Sequence, residues 1–169
     1  MKEIQTDFKC NRDEDIERFF KVSLKRMESS DKSRTYIIVD KEELEQNDRI
    51  KVLGFYSLAS HNFNVKEGTS KSKVKKLDGF DKNAKSIQCW LIGQLAKNDN
   101  YADEITGSEI MEFAEESILL LHKLAGLRTI LVECKHEEKL IKFYENHGFE
   151  FLQESTVDGL IQMTKTVNS

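Results

Sequence analysis

With 169 residues, 38% of them hydrophobic, the chain can bury one core and is too short for two comfortable domains, so a single domain over 1–169 is expected. A formal net charge of −4 excludes a generally basic nucleic-acid binder and leaves room only for a local basic patch. No stretch approaches the roughly 20 apolar residues of a membrane span.

The opening MKEIQTDFKC lacks the apolar centre of a secretory signal. Three widely spaced cysteines, Cys10, Cys89 and Cys134, contain no C-x-x-C and suit reduced thiols, so a cytoplasmic protein is expected. The four histidines show no metal-ligand spacing, and no metal site is expected.

From Arg12 to Ser29, Ile16, Phe19, Phe20, Leu24 and Met27 recur at mostly helical intervals, which predicts an amphipathic helix with an interruption near Ser23. RTYIIVD (Arg34–Asp40) predicts a strand, Lys41–Asp48 a charged turn, and Ile50–Val65 a long strand containing Gly54. Lys66–Lys85 has seven lysines against three acids and no sustained apolar period. It reads as a solvated loop, with an anion-attracting flap as the functional alternative.

Ser86–Asn98 resumes a buried strand, and Ile105–Leu127 predicts a helix with Ile110, Met111, Ala114, Ile118, Leu121 and Leu124 turned inward. At its start, Thr106-Gly-Ser-Glu109 has the spacing of a capping box. A strand over Arg128–Cys134, a helix over Glu137–His147 and strands over Phe149–Gln153 and Gly159–Val167 complete the chain. In KFYENHGFEF (Lys142–Phe151) the helix runs to Gly148, which can take the left-handed position, and Phe149 and Phe151 then alternate as in a strand.

The order of elements resembles the GCN5-related N-acetyltransferase (GNAT) superfamily, and more narrowly its tRNA-acetylating toxin branch. The resemblance is carried by FKCNRDEDIERFF (Phe8–Phe20), GFYSLAS (Gly54–Ser60), IQCWLIGQLAKNDNY (Ile87–Tyr101) and KFYENHGFEFL (Lys142–Leu152). It implies a mixed α/β (α+β) fold whose central, mostly antiparallel sheet holds a splayed parallel strand pair, with helices on its flanks. Acetyl-CoA would lie between Ile87–Lys97 and Arg128–Cys134, held by backbone groups of Leu95, Ala96 and Lys97. Tyr144 occupies the position of the acid that assists departure of the thiolate, with a core aromatic as the alternative reading. Glu133 and His136, at the end of the second strand, are candidates for a base, with ordinary surface roles as the alternative.

The superfamily's Gln/Arg-x-x-Gly-x-Gly/Ala turn cradles pyrophosphate on backbone N–H groups at a helix start. Here Asn100 stands for the first residue, Asp103 and Ile105 for the glycines, and Gly107 and Ser108 follow. From Lys97 to Ala125 there are seven acids and two lysines, so the turn departs from the pattern in both shape and charge.

The resemblance therefore implies an acetyl-CoA-dependent N-acetyltransferase acting on an amine. In the toxin branch that amine belongs to an aminoacyl-tRNA, the partner is a ribbon-helix-helix antitoxin, and homodimers are expected. The altered turn supports the contrasting expectation of a non-catalytic GNAT-fold binding module. A small-molecule or protein N-terminal acceptor is the third.

Overall fold

In the computed structural model, residues 8–155 and 158–167 are described. Six strands form one sheet in the order β1-β2-β3-β4-β6-β5, with β1 Arg34–Val39, β2 Val52–Asn64, β3 Ser86–Lys97, β4 Thr129–Cys134, β5 Glu150–Glu154 and β6 Ile161–Thr166. Within it β1 and β2 pair antiparallel, as do β4 and β6 and β5 and β6. The parallel pair is β3–β4, in register at Trp90–Ile130, Leu91–Leu131 and Ile92–Val132. The chain's contacts divide it into two units, Met1–Leu58 with Gln94–Ala114 and Ala59–Gly93 with Glu115–Ser169.

In the first unit, Asp13 caps α1 (Glu14–Arg18) by accepting from the Asp15 N–H at 3.0 Å, and three acids stand in its first turn. A π-turn at Phe19–Ser23 links α1 to α2 (Leu24–Ser29), which is the physical form of the interruption read near Ser23. The added residue turns Phe20 inward, where its ring lies 4.5 Å from Phe8 and 4.9 Å from Phe55. These rings, with Cys10, Val52 and Ala96, form this unit's apolar cluster.

Gly54 in β2 is required by close approach. A Cβ built there would meet Ile110 Cδ1 at 2.6 Å and the Ala96 carbonyl at 3.0 Å. Residues 41–47 are not a charged turn but a helix, α3 (Lys41–Asn47). Asp40 accepts from the Glu43 N–H at 3.1 Å and Asp48 closes the helix with a φ of 52°. Its lack of a buried face is why apolar periodicity could not reveal it.

The second unit corrects the reading of 66–85 as a loop. Lys71–Asp78 is a helix, α4, opened by Ser70 accepting from the Lys73 N–H at 3.2 Å and closed by Gly79 at φ 95°. Only Val74 and Leu77 face inward, three residues apart. They pack with Phe63, Ile87, Cys89 and Leu131, so two apolar residues among eight suffice to dock it. Buried Thr129 adds a hydroxyl bond to the Leu77 carbonyl at 2.8 Å.

The long helix α5 spans Gly107–Ala125, with Ile110, Met111, Ala114 and Ile118 buried as read. Its inward face stops there: Leu124 is 77% exposed and Leu121 is only half-buried. The last helix, α6, spans Glu138–Asn146.

Candidate active site

At its C-terminal end, α6 finishes in a Schellman motif. The Phe149 N–H donates to the Tyr144 carbonyl at 3.0 Å and the Gly148 N–H to the Glu145 carbonyl at 2.9 Å, with Gly148 at φ 81°. The Tyr144 ring meets Phe149 edge to face at 5.8 Å and Phe143 at 5.2 Å. Phe143 in turn lies 4.8 Å from the His147 ring. The aromatic repeats around Asn146-His147-Gly148 thus lock one tyrosine at a fixed angle.

The Tyr144 side chain is half-buried, and its hydroxyl has no hydrogen-bond partner among the described residues. Burial, and then the nearby Cys134, push that hydroxyl's pKa well above the ordinary phenol value, so it keeps its proton at neutral pH. Burial, followed by Glu137, raises the Cys134 thiol to about 11, and burial with Glu133 raises Cys89 to about 12. This interior disfavours thiolate and phenolate alike.

Of the two candidate bases, His136 is exposed. Glu133 is half-buried, and one of its carboxylate oxygens accepts from the Gln162 amide at 2.7 Å. The cavity it borders measures about 440 Å³ and is also lined by His61, Lys66, Gln153 and Asp158.

The other expected site residues lie in the first unit. Leu95, Ala96 and Lys97 end β3, and a single 3-10 turn (Asp99–Tyr101) follows. The Lys97 ammonium donates to the Ala102 carbonyl at 2.9 Å, which folds the turn onto itself. Asn100, Asp103 and Ser108 are exposed, Gly107 is half-buried, and Ile105 is buried with 5% exposure. Ile105 therefore fills space with its side chain where the family pattern leaves a bare backbone.

The capping box is present in full: the Glu109 N–H donates to the Thr106 hydroxyl at 3.2 Å and the Thr106 N–H to the Glu109 carboxylate at 2.8 Å. It occupies one of the helix-start donors that an anion would use. Charge is less adverse than the sequence suggests. Glu104 pairs with Lys51 at 2.6 Å, and Lys51 also reaches Asp40 at 3.2 Å, so Asp103 is the carboxylate left without a cation among the described residues.

Two residues of this turn escaped sequence reasoning. Lys51 neutralises Glu104 across 53 positions of sequence. Asn98 is fully buried: its carbonyl oxygen accepts from the Lys9 and Asn100 N–H groups, both at 3.1 Å, and its amide donates to the Val52 carbonyl at 2.9 Å. No local pattern signals either one, because their partners are brought in by the fold.

The strand order, the β3–α5–β4–α6 succession and the single parallel pair are those of the GNAT fold. Solved structures that it resembles include toxins. AtaT complexed with acetyl-methionyl-tRNAfMet superposes with a TM-score of 0.70 at 24% identity, over 92% of this chain and 84% of that one. A Tyr→Phe variant of KacT gives 0.71 at 22% identity, over 92% and 84%. A Tyr→Phe variant of the AtaT toxin, bound to the C-terminus of the antitoxin AtaR and acetyl-CoA, gives 0.68 at 20% identity, over 94% and 82%. No protein-family model matches the sequence, and no curated protein matches it.

Proposed function

We propose that the chain, acting as one domain over 1–169, is an acetyl-CoA-dependent N-acetyltransferase whose acceptor is the amino group of an aminoacyl-tRNA. The observation that carries this reading is Tyr144: a protonated hydroxyl with no hydrogen-bond partner among the described residues, held by a Schellman motif on a fold whose neighbours bind acetyl-CoA and acetyl-methionyl-tRNA. The neighbours' antitoxin complexes support a small antitoxin as partner, for which we propose the ribbon-helix-helix type.

In this reading Leu95, Ala96 and Lys97 supply backbone hydrogen bonds to the pantetheine arm. The segment containing Asn100, Asp103, Ile105, Gly107 and Ser108 borders the pyrophosphate. Acetyl-CoA supplies an activated acyl carbon and a thiolate leaving group. The acceptor, once its ammonium has given one proton to water, attacks the thioester carbon with the nitrogen lone pair; the C–N bond forms, the C–S bond breaks with its electron pair going to sulfur, and the remaining surplus proton leaves to water.

Tyr144 meets the sulfur as charge develops there. A phenol this basic would not protonate a thiolate in bulk water, where thiols have a pKa near 8.5. It can instead donate a hydrogen bond to the sulfur without giving the proton up.

The contrasting reading, a non-catalytic binding module, is favoured by one observation: the Thr106–Glu109 box takes one of the α5-start donors from within, beside an Asp103 that has no cation among the described residues. Calorimetric titration with acetyl-CoA separates the two. Micromolar binding, with acetylation of a charged tRNA, supports the enzyme. No binding at millimolar acetyl-CoA would sink it and leave the binding module.

A further inference from the structure

Glu133 and Cys134 are consecutive in β4, so their side chains leave opposite faces of the sheet. Cys134 acts on the Tyr144 hydroxyl from one face. Leu131, on the same face as Glu133, packs with Phe63, Val74 and Leu77 on the other. The leaving-group side of the proposed reaction and the polar cavity are thus separated by one strand's thickness at one point in the chain.

The cavity is wired toward its carboxylate. Gln153 is 7% exposed and Gln162 6%. The Lys66 N–H donates to the Gln153 carbonyl oxygen at 2.9 Å, and the Gln153 amide donates to the Asn64 carbonyl and to the Gln162 oxygen, both at 2.7 Å. The Gln162 amide then donates to Glu133. Every donor–acceptor assignment in the row follows from the one before, so Glu133 receives a hydrogen at one oxygen.

Its other oxygen has no hydrogen-bond or ion-pair partner among the described residues. Asp158, at the same cavity, accepts from the Leu160 N–H at 3.2 Å and has no cation either. Lys66 borders the cavity and pairs with neither carboxylate. A half-buried carboxylate, oriented by two buried amides and lacking a counter-ion, faces a volume of about 440 Å³ that can hold a small organic group.

We infer that this cavity receives the acceptor as a primary ammonium, with the unpaired Glu133 oxygen as its counter-ion and Asp158 as the second carboxylate of the pocket. The ligand class is an α-amino ester or amide. A free amino acid would bring its own carboxylate against Glu133 and Asp158 and bind less well. An N-acetylated product would have lost the charge and be released. The inference rests on the acetyltransferase reading for its purpose, though not for its test.

The experiment is an NMR titration of the full chain with glycinamide, in parallel with glycine and N-acetylglycinamide, and without acetyl-CoA. Glycinamide is expected to shift the amides of residues 61–66, 133, 153 and 162, and to bind at least tenfold more tightly than the other two. E133Q keeps an oxygen for Gln162 and is expected to weaken glycinamide tenfold or more. D158N, at an exposed position, is expected to weaken it less and serves as the second variant should E133Q not fold. Equal binding of the three ligands, shifts elsewhere, or wild-type affinity in E133Q would overturn the inference. Glycinamide binding in a protein that fails to bind acetyl-CoA would uphold the pocket while removing the acetyltransferase reading. Turnover with an unchanged amine KM in E133Q would do the reverse.

Discussion

The Phe149 N–H donates to the Tyr144 carbonyl at 3.0 Å while the two rings meet edge to face at 5.8 Å, so backbone and side chains fix the same pair. Both contacts depend on Gly148 at φ 81°, where an added Cβ would meet nothing nearer than Lys165 Cε at 3.7 Å. Space is therefore not the obstacle to a larger residue there; backbone conformation is. Gly148→Ala is expected to cost about 1–2 kcal/mol in urea denaturation. Gly148→Asn should cost clearly less, because asparagine tolerates the left-handed region. Equal losses for the two would mean that crowding, not φ, matters.

Tyr144→Phe removes a hydroxyl with no hydrogen-bond partner among the described residues. Its stability should match wild type or slightly exceed it, since no hydrogen bond to a described residue is lost and one half-buried polar group disappears. The acetylation rate constant is expected to fall on the order of 100-fold, with little change in acetyl-CoA affinity. A thermal melt beside single-turnover kinetics checks both, and an unaltered rate would remove Tyr144 from the chemistry.

Glu109 is the acid-sensitive end of the capping box. Its carboxyl is held below its ordinary value of 4.5 by the Thr106 hydroxyl and N–H. A depressed folded-state pKa contributes stability that is complete above the unfolded value and lost as pH falls through the folded one. Wild type should therefore lose an increment of stability below about pH 4.5 that Glu109→Gln lacks. Parallel pH-dependent melts of the two proteins would reveal it; identical profiles would count against the box as a source of stability.

The lysines of α4 fall into two groups. Lys73 donates to the Phe151 carbonyl at 2.6 Å and Lys76 pairs with Glu150 at 3.1 Å. Lys71 and Lys75, and Lys82 beyond the end of the helix, are exposed with no partner among the described residues, and Phe80, which follows the helix, is 91% exposed. Unpaired cations and an exposed ring within one stretch of chain suit the phosphates and bases of an RNA strand. A Lys71/Lys75/Lys82→Glu triple variant is expected to weaken tRNA binding and flatten its salt dependence. A Lys73/Lys76→Glu variant should change the salt slope less. Filter binding over a range of salt concentrations decides it, with equal effects arguing against this surface.

Gly54 answers to a different constraint from Gly148. Its backbone is ordinary, and the obstruction is the buried Ile110 side chain together with the Ala96 carbonyl. Gly54→Ala should destabilise by about 1–3 kcal/mol, as overpacked cores do. Gly54→Ala combined with Ile110→Val should recover part of that loss, and a simple sum of the two effects would contradict the clash.

The strands, α5 and the α6 corner were legible because burial there is periodic and punctuated: Ile110, Met111, Ala114 and Ile118 mark one face, and Gly148 marks a stop. The helices α3 and α4 were not, since their signals are caps rather than apolar stripes. Asp40 with Glu43, and Ser70 with Lys73, were readable only as side-chain-to-backbone pairs. At the candidate site, Tyr144 and the Thr106–Glu109 box could be read locally. The Glu133–Gln162–Gln153 row could not, because it joins residues from three strands whose adjacency exists only in the sheet.

Asn98 has no surface of its own, yet one amide group joins Lys9, Val52 and Asn100. Any event that pulls the segment around Lys9 away, whether a cut, a fusion or a partner's grip, strips that amide of a bond it cannot replace with water while it stays buried. The turn proposed to face pyrophosphate would be the first to feel it. If that turn holds pyrophosphate as proposed, loss of the Lys9 bond is expected to weaken acetyl-CoA binding from 89 residues away in sequence.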